Sequence, residues 1–303
     1  MKSRPLIHGA TYFVTRRTHQ GLFRMVPTPQ VNGITLFCLA HAANKYGIQV
    51  HAFCFMSNHY HLVVTNHGRQ LNKFVHWLDL FTSKCLNCLH GNQGIVWEAE
   101  QSSVQLLPTE FDILDKIAYT ICNPVQAALV SQPSEWIGTT SLLEHHRSSF
   151  EFCARRPDVF FSKTGVVPPA ANLSLSVPTC FEDKNQFMVK LGHQIETRCL
   201  QISHRLEREG REIRGKESIT LDPDQRAAQP FLTSDIRPYI ACKDRELRVQ
   251  LIEAYQIFWQ EHEEARQRVL AGEMDVVFPF GTNWWCEFAG RECTETGPLT
   301  WIY

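Results

Sequence analysis

Two histidines one residue apart, His59 and His61, begin a run that is typical of a β-strand, residues 59–65. Side chains on a strand alternate between its two faces, so both imidazoles point the same way and Tyr60 points the opposite way. Two neutral imidazoles on one face can bind a divalent metal ion and leave much of its coordination sphere open. That arrangement suits phosphoryl transfer, in which water or a substrate phosphate takes the open positions. A His-x-His pair in a strand is also common without any metal.

A tyrosine on a predicted helix is the second chemical feature. Within residues 112–130, Ile117 and Ile121 continue a step of four that defines the apolar face. Tyr119 lies about 200° around the helix from Ile117, so it is not placed for core packing on that face. Asn123 follows four residues after Tyr119 and therefore lies one turn along the same side. This position favours a functional role for Tyr119, with a plain surface tyrosine as the alternative.

Taken together, these stretches resemble the single-tyrosine HUH transposases, in particular the REP-associated tyrosine transposases. The family's first motif, Asn-His-hydrophobic-His-Leu, stands here as residues 58–62. Its second motif is a helical tyrosine followed four residues later by Asn-Pro-Val, and it stands here as Tyr119 with residues 123–125. The resemblance covers roughly residues 8–165 in detail and continues more loosely into the C-terminal half.

The resemblance implies an enzyme that cuts and rejoins single-stranded DNA, often with a hairpin beside the cut. A divalent ion, Mg²⁺ or Mn²⁺, would be held by His59, His61 and Asn123, and Tyr119 would be the nucleophile. Its products would be a 5′-phosphotyrosine link and a free 3′-hydroxyl, with no hydrolytic water needed. The expected partner is therefore single-stranded DNA rather than a membrane, and the expected protein is a monomer or a homodimer.

Asn123 has a competing structural interpretation. It precedes Pro124, which is well suited to the first position of a helix. Asn123 could thus be the N-cap of a short following helix, with Gln126 closing a capping box. The ligand role and the cap role are both open from the sequence.

Several basic or aromatic side chains in the front half are candidate DNA contacts. Arginine and lysine can pair with phosphate, and tryptophan can stack on a base. Residues 1–130 carry ten Lys or Arg and six Asp or Glu, although the whole chain has a net charge of −1. The candidates are Arg16, Arg17, Arg69, Lys73 and Trp97.

The order of predicted elements indicates an α+β, ferredoxin-like fold with an antiparallel sheet and helices on one face. A strand over 10–17 and a helix up to Tyr46 come first, followed by a tight hairpin over 48–65. A second helix ends near Gly91, and a fourth strand is predicted around residues 95–97. We expect the histidines to lie on the sheet and the tyrosine helix to form the opposing wall.

The chain of 303 residues is long enough for this domain and a substantial extension. We predict a catalytic domain over residues 1–165, a Pro- and Ala-rich linker over 166–178, and a mostly helical extension over 179–303. Eleven scattered cysteines, 44% hydrophobic residues and no signal segment indicate a soluble cytoplasmic protein with reduced thiols.

Two other functions fit the same residues. A domesticated protein could keep the fold and bind hairpin DNA without cutting it. A metal-dependent phosphodiesterase could act through water, with Tyr119 incidental. A covalent protein–DNA adduct separates the three functions, because only the transposase forms one.

Overall fold

The structure is a computed structural model. It describes residues 3–147, 150–215, 217, 219, 222–226, 238–287, 289–297 and 299. The strands in chain order are β1 Ala10–Arg17, β2 Ile48–Phe55, β3 His59–Asn66, β4 Ser103–Leu107, β5 Phe152–Arg155 and β6 Ala170–Leu173. The helices are α1 Pro29–Tyr46, α2 Leu71–His90, α3 Glu110–Ile121, α4 Asn123–Gln126, α5 Lys184–Arg208, α6 Arg245–Leu270 and α7 Trp284–Glu287.

The first four strands form an antiparallel sheet in the order β2-β3-β1-β4. With α1 between β1 and β2, and α2 between β3 and β4, this is the split βαβ arrangement of a ferredoxin-like fold. The predicted fold class is therefore confirmed. Strand β1 lies in the middle, where its register places Arg17 opposite His59 and Thr15 opposite His61.

The position predicted for the fourth strand is wrong. The strand is Ser103–Leu107, whereas Trp97 makes only an isolated bridge to Thr18. The Trp97 ring is buried, and its indole N–H donates to the backbone oxygen of Asp79 on α2 at 2.8 Å. The apolar triplet at 95–97 is thus a loop that anchors one large side chain in the core, a pattern that resembles a short strand in sequence.

One face of the sheet is covered by α1 and α2. Tyr12 and Val14 of β1, with Tyr60 and Leu62 of β3, point into this layer and are fully buried. Tyr60 therefore lies on the face opposite to the two histidines, as strand alternation predicts. Helix α1 starts at the N-cap Thr28 and ends at Gly47, whose left-handed φ of 62° an L side chain would adopt with strain.

The other face carries α3, as expected for the tyrosine helix. Phe13 and Val63 of the sheet pack against Ile113, Ile117 and Ile121 of α3. Helix α5 also packs against α3, and its Phe187 and Leu191 join the same apolar cluster. Helix α3 is thus in contact with the sheet of the front half and with a helix of the C-terminal half.

The C-terminal half is in contact with the sheet at several points. Leu106 of β4 exchanges backbone hydrogen bonds with Tyr239 and Ala241, both at 2.9 Å. Tyr255 and Phe258 of α6 join the core beneath α1 and α2. Within the segment predicted as a linker, Ala170–Leu173 is strand β6 and pairs with β5. The division into domains at 165 and 178 stays a prediction.

Among the residues that the structure describes, none of the helices is both long enough and apolar enough to cross a membrane.

A buried histidine predicts how stability depends on pH. His51 on β2 is fully buried, with Nδ1 2.8 Å from the Ser176 oxygen and Nε2 2.7 Å from the Thr65 hydroxyl. Burial lowers its pKa to about 4, whereas the unfolded chain has an ordinary histidine pKa near 6.5. As the pH falls below 6.5 the unfolded state takes up the proton first, so stability is lost, by about 2 kcal/mol between pH 7.5 and 5.

We expect the free energy of unfolding of His51→Gln to change less with pH over this range than that of the parent protein, because Gln does not titrate. The measurement is the free energy of unfolding in urea at pH 7.5 and 5. The exposed His204 supplies the control variant His204→Gln, which should keep the slope of the parent protein. If the free energy of unfolding of His51→Gln changed with pH as much as that of the parent protein, His51 would not be the source of this pH dependence.

Candidate active site

The hairpin between β2 and β3 places the two histidines. Its turn, Ser57-Asn58, sets His59 as the first residue of β3 and His61 two residues on, facing α3. Their ring centroids lie 4.9 Å apart. Arg17 and Thr15 stand opposite them on β1, so four side chains of one sheet face converge at this end of the sheet.

The protonation of His59 is set by its neighbour in the turn. Nδ1 of His59 lies 2.7 Å from the side-chain oxygen of Asn58. A carbonyl oxygen only accepts, so Nδ1 of the neutral ring carries the proton and Nε2 keeps its lone pair. Burial lowers the pKa of His59 to about 4, although a hydrogen bond from the protonated ring to Asn123 would raise it. The ring is therefore a neutral donor of an electron pair at physiological pH.

His61 is held more deeply. It is 6% exposed, its ring stacks on Phe13 at 5.1 Å between centroids, and its Nδ1 lies 2.9 Å from the Thr15 hydroxyl. Burial holds the pKa of His61 well below its ordinary value, and the nearby His59 lowers it further. With Nδ1 occupied by Thr15, Nε2 is the atom left for a ligand.

Asn123 comes to this pair from the helical layer. Helix α3 ends at Ile121, and the short helix α4 begins at Asn123 with Pro124 in its first turn. The N-cap position is Cys122, and no side chain caps the turn. The alternative that Asn123 is itself the N-cap is therefore wrong: its side chain is 6% exposed and turned to the sheet, where Oδ1 lies 3.2 Å from Nε2 of His59.

The donor atoms fit a cation. With the proton on Nδ1, Nε2 of neutral His59 is an acceptor like Oδ1 of Asn123, and the 3.2 Å contact between the two atoms then suits a shared cation. A divalent ion can bind both atoms, together with Nε2 of His61. Among the described residues there is no group of three or more His, Cys, Asp or Glu that could hold a metal, and this set of two imidazoles and an amide is of a different kind.

Tyr119 lies beside the same atoms. Its ring meets His61 edge-on at 5.3 Å and Phe13 at 5.8 Å between centroids, and Asn123 lies one turn further along the chain. Burial raises the pKa of Tyr119, whereas the positive charges of Arg198 and Arg17 act to lower it.

The sequence argument that Tyr119 avoids a packing face needs a correction. Asp112 and Asp115, on the same side of α3, are buried, because α5 and the chain near Lys243 cover that side. Tyr119 is partly buried as well. Polar residues on this side of the helix are not solvent-facing but paired, so the helix period alone could not separate function from packing.

Several of the predicted DNA contacts make contacts within the protein. Arg16 lies 3.1 Å from the carboxylate of Asp79, and the buried Trp97 donates to the backbone of the same residue. The guanidinium of Arg69 stands 5.2 Å from the centroid of Phe280. Lys73 pairs with Glu287, which is in α7. These contacts give the side chains structural roles, and their roles in DNA binding stay predictions.

Arg17, the fifth candidate, is exposed and lies opposite His59 on the face that carries the site. Sequence reasoning missed two further cations beside Tyr119. The ammonium group of Lys116 stands 5.2 Å from the Tyr119 ring centroid, and the guanidinium of Arg198 stands 5.7 Å from it. Lys116 is one turn from Tyr119, a spacing that could have identified it, but nothing in the sequence indicates Arg198.

A comparison with known protein families gives a match in the front part of the chain. Residues 28–100 match the model of the transposase family described as IS200 like. The chain resembles the IS200-like transposases. The match covers His59 and His61 and ends before Tyr119, so the resemblance predicted from the sequence is confirmed on the histidine motif. A comparison with curated protein sequences gives no significant match.

Two solved structures match parts of this chain at low similarity. One is a REP-associated tyrosine transposase bound to a REP hairpin, with 18% identity, 45% of this chain and 79% of the other covered, and a TM-score of 0.37. The other is a candidate transposase from Deinococcus radiodurans R1, with 18% identity, 34% and 83% covered, and a TM-score of 0.27. Neither likeness is close enough to bear on the chemistry of this site.

The tautomer of His59 gives a direct test of the site geometry. Removing the acceptor in Asn58→Ala should release Nδ1 and shift the neutral ring toward the tautomer with the proton on Nε2, where the Asn123 oxygen can accept it. Two-dimensional ¹⁵N spectra of the imidazoles report this shift.

The buried ring of His51 is the internal control for this experiment. Its Nδ1 donates to Ser176 and should keep its proton in the variant. If the His59 signals of Asn58→Ala match those of the parent protein, then Asn58 does not set the tautomer.

Proposed function

We propose that this protein cuts and rejoins single-stranded DNA through a covalent 5′-phosphotyrosine intermediate on Tyr119. The observation that supports this most is the meeting of four side chains from three elements, β3, α3 and α4. Tyr119 contacts His61, and the side-chain oxygen of Asn123 faces Nε2 of His59. A nucleophile, two neutral imidazoles and an amide oxygen are thereby gathered at the surface end of one sheet face.

The reaction exchanges one phosphodiester oxygen for another. Tyr119 gives up its hydroxyl proton and its oxygen attacks the phosphorus. The bond from phosphorus to the 3′-oxygen breaks, and the leaving oxygen takes up a proton to become a 3′-hydroxyl, so that no net proton is gained or lost. The phosphorus stays linked to the 5′ side of the cut through the tyrosine. A 3′-hydroxyl can reverse the step, so strands are joined without loss of the phosphodiester energy and without an attacking water.

His59, His61 and Asn123 would hold a divalent ion, Mg²⁺ or Mn²⁺. When bound, such an ion polarises a phosphate oxygen and offsets the charge that develops on it. The chain's own residues prepare the site. Asn58 and Thr15 orient the two imidazoles, and burial keeps both rings uncharged so that their lone pairs are free.

Activation of the tyrosine depends on its surroundings. Burial opposes ionisation of the phenol and raises its pKa. The positive charges of Arg198 and Arg17 act in the opposite direction and lower it. These groups favour the oxygen as it gains negative charge, which is the requirement for a phenol whose ordinary pKa is about 10.

The DNA partner is inferred from this chemistry together with the family resemblance. A 5′-phosphotyrosine enzyme must bring a single strand over the site, and the exposed Arg17 lies at its edge. A hairpin-binding protein without cleavage would have no need of a tyrosine hydroxyl at the histidine pair. A phosphodiesterase would need a water in the place where Tyr119 stands.

The nucleophile is tested by Tyr119→Phe, which removes the hydroxyl and keeps the ring contacts with Phe13 and His61. We expect loss of the covalent adduct with a labelled single-stranded hairpin in the presence of Mn²⁺, and nearly unchanged DNA affinity. Denaturing gel electrophoresis measures the adduct. Tyr46→Phe, a partly buried tyrosine at the end of α1, is the matched control and should form the adduct normally.

Free DNA ends without an adduct in the parent protein would favour the phosphodiesterase. Binding with neither ends nor adduct would favour the hairpin-binding protein.

The metal ligands are tested by Mn²⁺ binding itself, followed by electron paramagnetic resonance. Asn123→Ala and His61→Ala should weaken binding roughly tenfold or more, since even groups that only orient a ligand contribute 10- to 100-fold in affinity. Asn123→Asp keeps an oxygen and should retain binding. The control is Asn44→Ala, whose amide bonds to Asn172 on the far side of the sheet. Equal Mn²⁺ affinity in Asn123→Ala and the parent, with equal melting temperatures, would refute the ligand role.

A further inference from the structure

Helix α5 brings a cation to the tyrosine from a part of the chain 79 residues further on. The guanidinium carbon of Arg198 stands 5.7 Å from the centroid of the Tyr119 ring. Nη2 of Arg198 donates to the carboxylate of Asp115 at 2.5 Å. The side chain is 19% exposed, so the guanidinium is largely enclosed between α3 and α5 while retaining access to solvent.

The guanidinium has more donors than its protein partners use. Among the described residues, its hydrogen bonds all leave from Nη2, to the carboxylate and the backbone oxygen of Asp115. Nε is buried and has no acceptor among those residues. A buried donor without a partner costs free energy that an apolar side chain would not. The planar fork of arginine suits a phosphate, which accepts two parallel hydrogen bonds.

The charge of Asp115 is already matched without Arg198. The carboxylate is 8% exposed and also accepts from the ammonium group of Lys243 at 2.9 Å. Lys116 adds one more cation beside Tyr119, and Asp112 is the other carboxylate on this side of α3. Among the described residues, three cations therefore lie near two carboxylates here, which leaves a local excess of positive charge at the nucleophile. An anion is the expected occupant.

Helix α5 is fixed at this position by contacts on both sides of Arg198. Lys190, two turns earlier, pairs with Glu110 at the start of α3 at 2.6 Å. Sγ of Cys199 lies 3.7 Å from Sγ of Cys122, the residue between α3 and α4. Arg198 is thus held between the two ends of α3 and cannot be treated as a side chain on an independent helix.

We infer that Arg198 contacts the phosphate of the DNA strand that Tyr119 attacks, so that α5 of the C-terminal half forms part of the active site. The inference rests on the proposed function for the identity of the nucleophile. It assigns to residues 184–208 a task in the reaction and a class of ligand, a phosphodiester of single-stranded DNA. The side chain orients the phosphate and offsets its charge as the bond to Tyr119 forms.

The first test measures binding in the non-cleaving Tyr119→Phe protein. The probe is a labelled single-stranded hairpin, and its affinity is measured at several salt concentrations. Adding Arg198→Met should lower the affinity and reduce the slope of log affinity against log salt by about 0.7, the value for one contact to a single strand. The matched control is Lys190→Met, which breaks an ion pair of the same helix with the same partner helix and should keep the slope. An unchanged slope in the Arg198→Met protein overturns the inference.

The second test measures adduct formation at saturating DNA in proteins that keep Tyr119. Arg198→Met should slow the reaction by more than tenfold, whereas Lys190→Met should not, and melting temperatures show whether each variant is folded. Arg198→Lys keeps the charge and the pairing with Asp115 but has no planar fork, so it should restore the salt slope and only part of the rate. It also serves as the folded variant if Arg198→Met does not fold.

The two proposals fail in different ways. If the parent protein forms the adduct and Arg198→Met forms it at the same rate, the inference fails and the proposed function stands. If the parent forms no adduct, the proposed function fails, and the salt slope in the Tyr119→Phe background decides whether Arg198 contacts the strand.

Discussion

The geometry of the site depends on the contact between Nε2 of His59 and the side-chain oxygen of Asn123, 3.2 Å apart. One atom belongs to the first residue of a sheet strand and the other to the first residue of a short helix. Each is placed by a break in regular structure, the hairpin turn at Ser57-Asn58 and the interruption between α3 and α4 at Cys122. Because α3 packs along the sheet through Phe13 and Ile117, its end lies over the hairpin turn. Tyr119, one turn before Asn123, is then carried to the histidines by the helix.

The packing of α5 against α3 explains why the C-terminal half matters to the site. Asp115 is nearly buried and would be an uncompensated charge without the cations that come from α5 and from Lys243. Losing the partners of a buried charge is strongly destabilising, while a matched group of charges and hydrogen bonds is tolerated. The same helix buries Phe187 and Leu191 against α3. Separation of the two halves would therefore expose apolar surface and a carboxylate beside Tyr119 at once.

Local periodicity was enough to predict much of this arrangement. Alternation along β3 placed His59 and His61 together and Tyr60 on the other face. The ferredoxin-like order followed from the sequence of elements. These are relations between residues within one element, which the repeats of strand and helix determine.

Relations between distant elements were not predictable in the same way. Trp97 has the composition of a strand residue, and only its hydrogen bond to Asp79 shows that it anchors a loop. The sequence around Asn123 is compatible with an N-cap, but its side chain contacts His59 on the sheet instead. Arg198 depends on how α5 packs across α3, which no spacing within α5 reveals. Tertiary contacts of this kind override local preference wherever a polar group finds a better partner.

Burial has opposite effects on the two kinds of group in the site, and both effects have one cause. Removing water disfavours any charged form, so the pKa of His59 falls to about 4 while the pKa of Tyr119 rises. In the protein alone, the imidazoles and the phenol are therefore neutral, and the cations Arg17, Lys116 and Arg198 stand around them. Neutral imidazoles are ready to bind a cation, but a neutral phenol is not ready to attack. The same low-dielectric surroundings strengthen the attraction between those cations and any anion that enters. Under the proposed function, a divalent ion held by His59, His61 and Asn123 would add to the positive charge around Tyr119 and so offset the effect of burial on its ionisation.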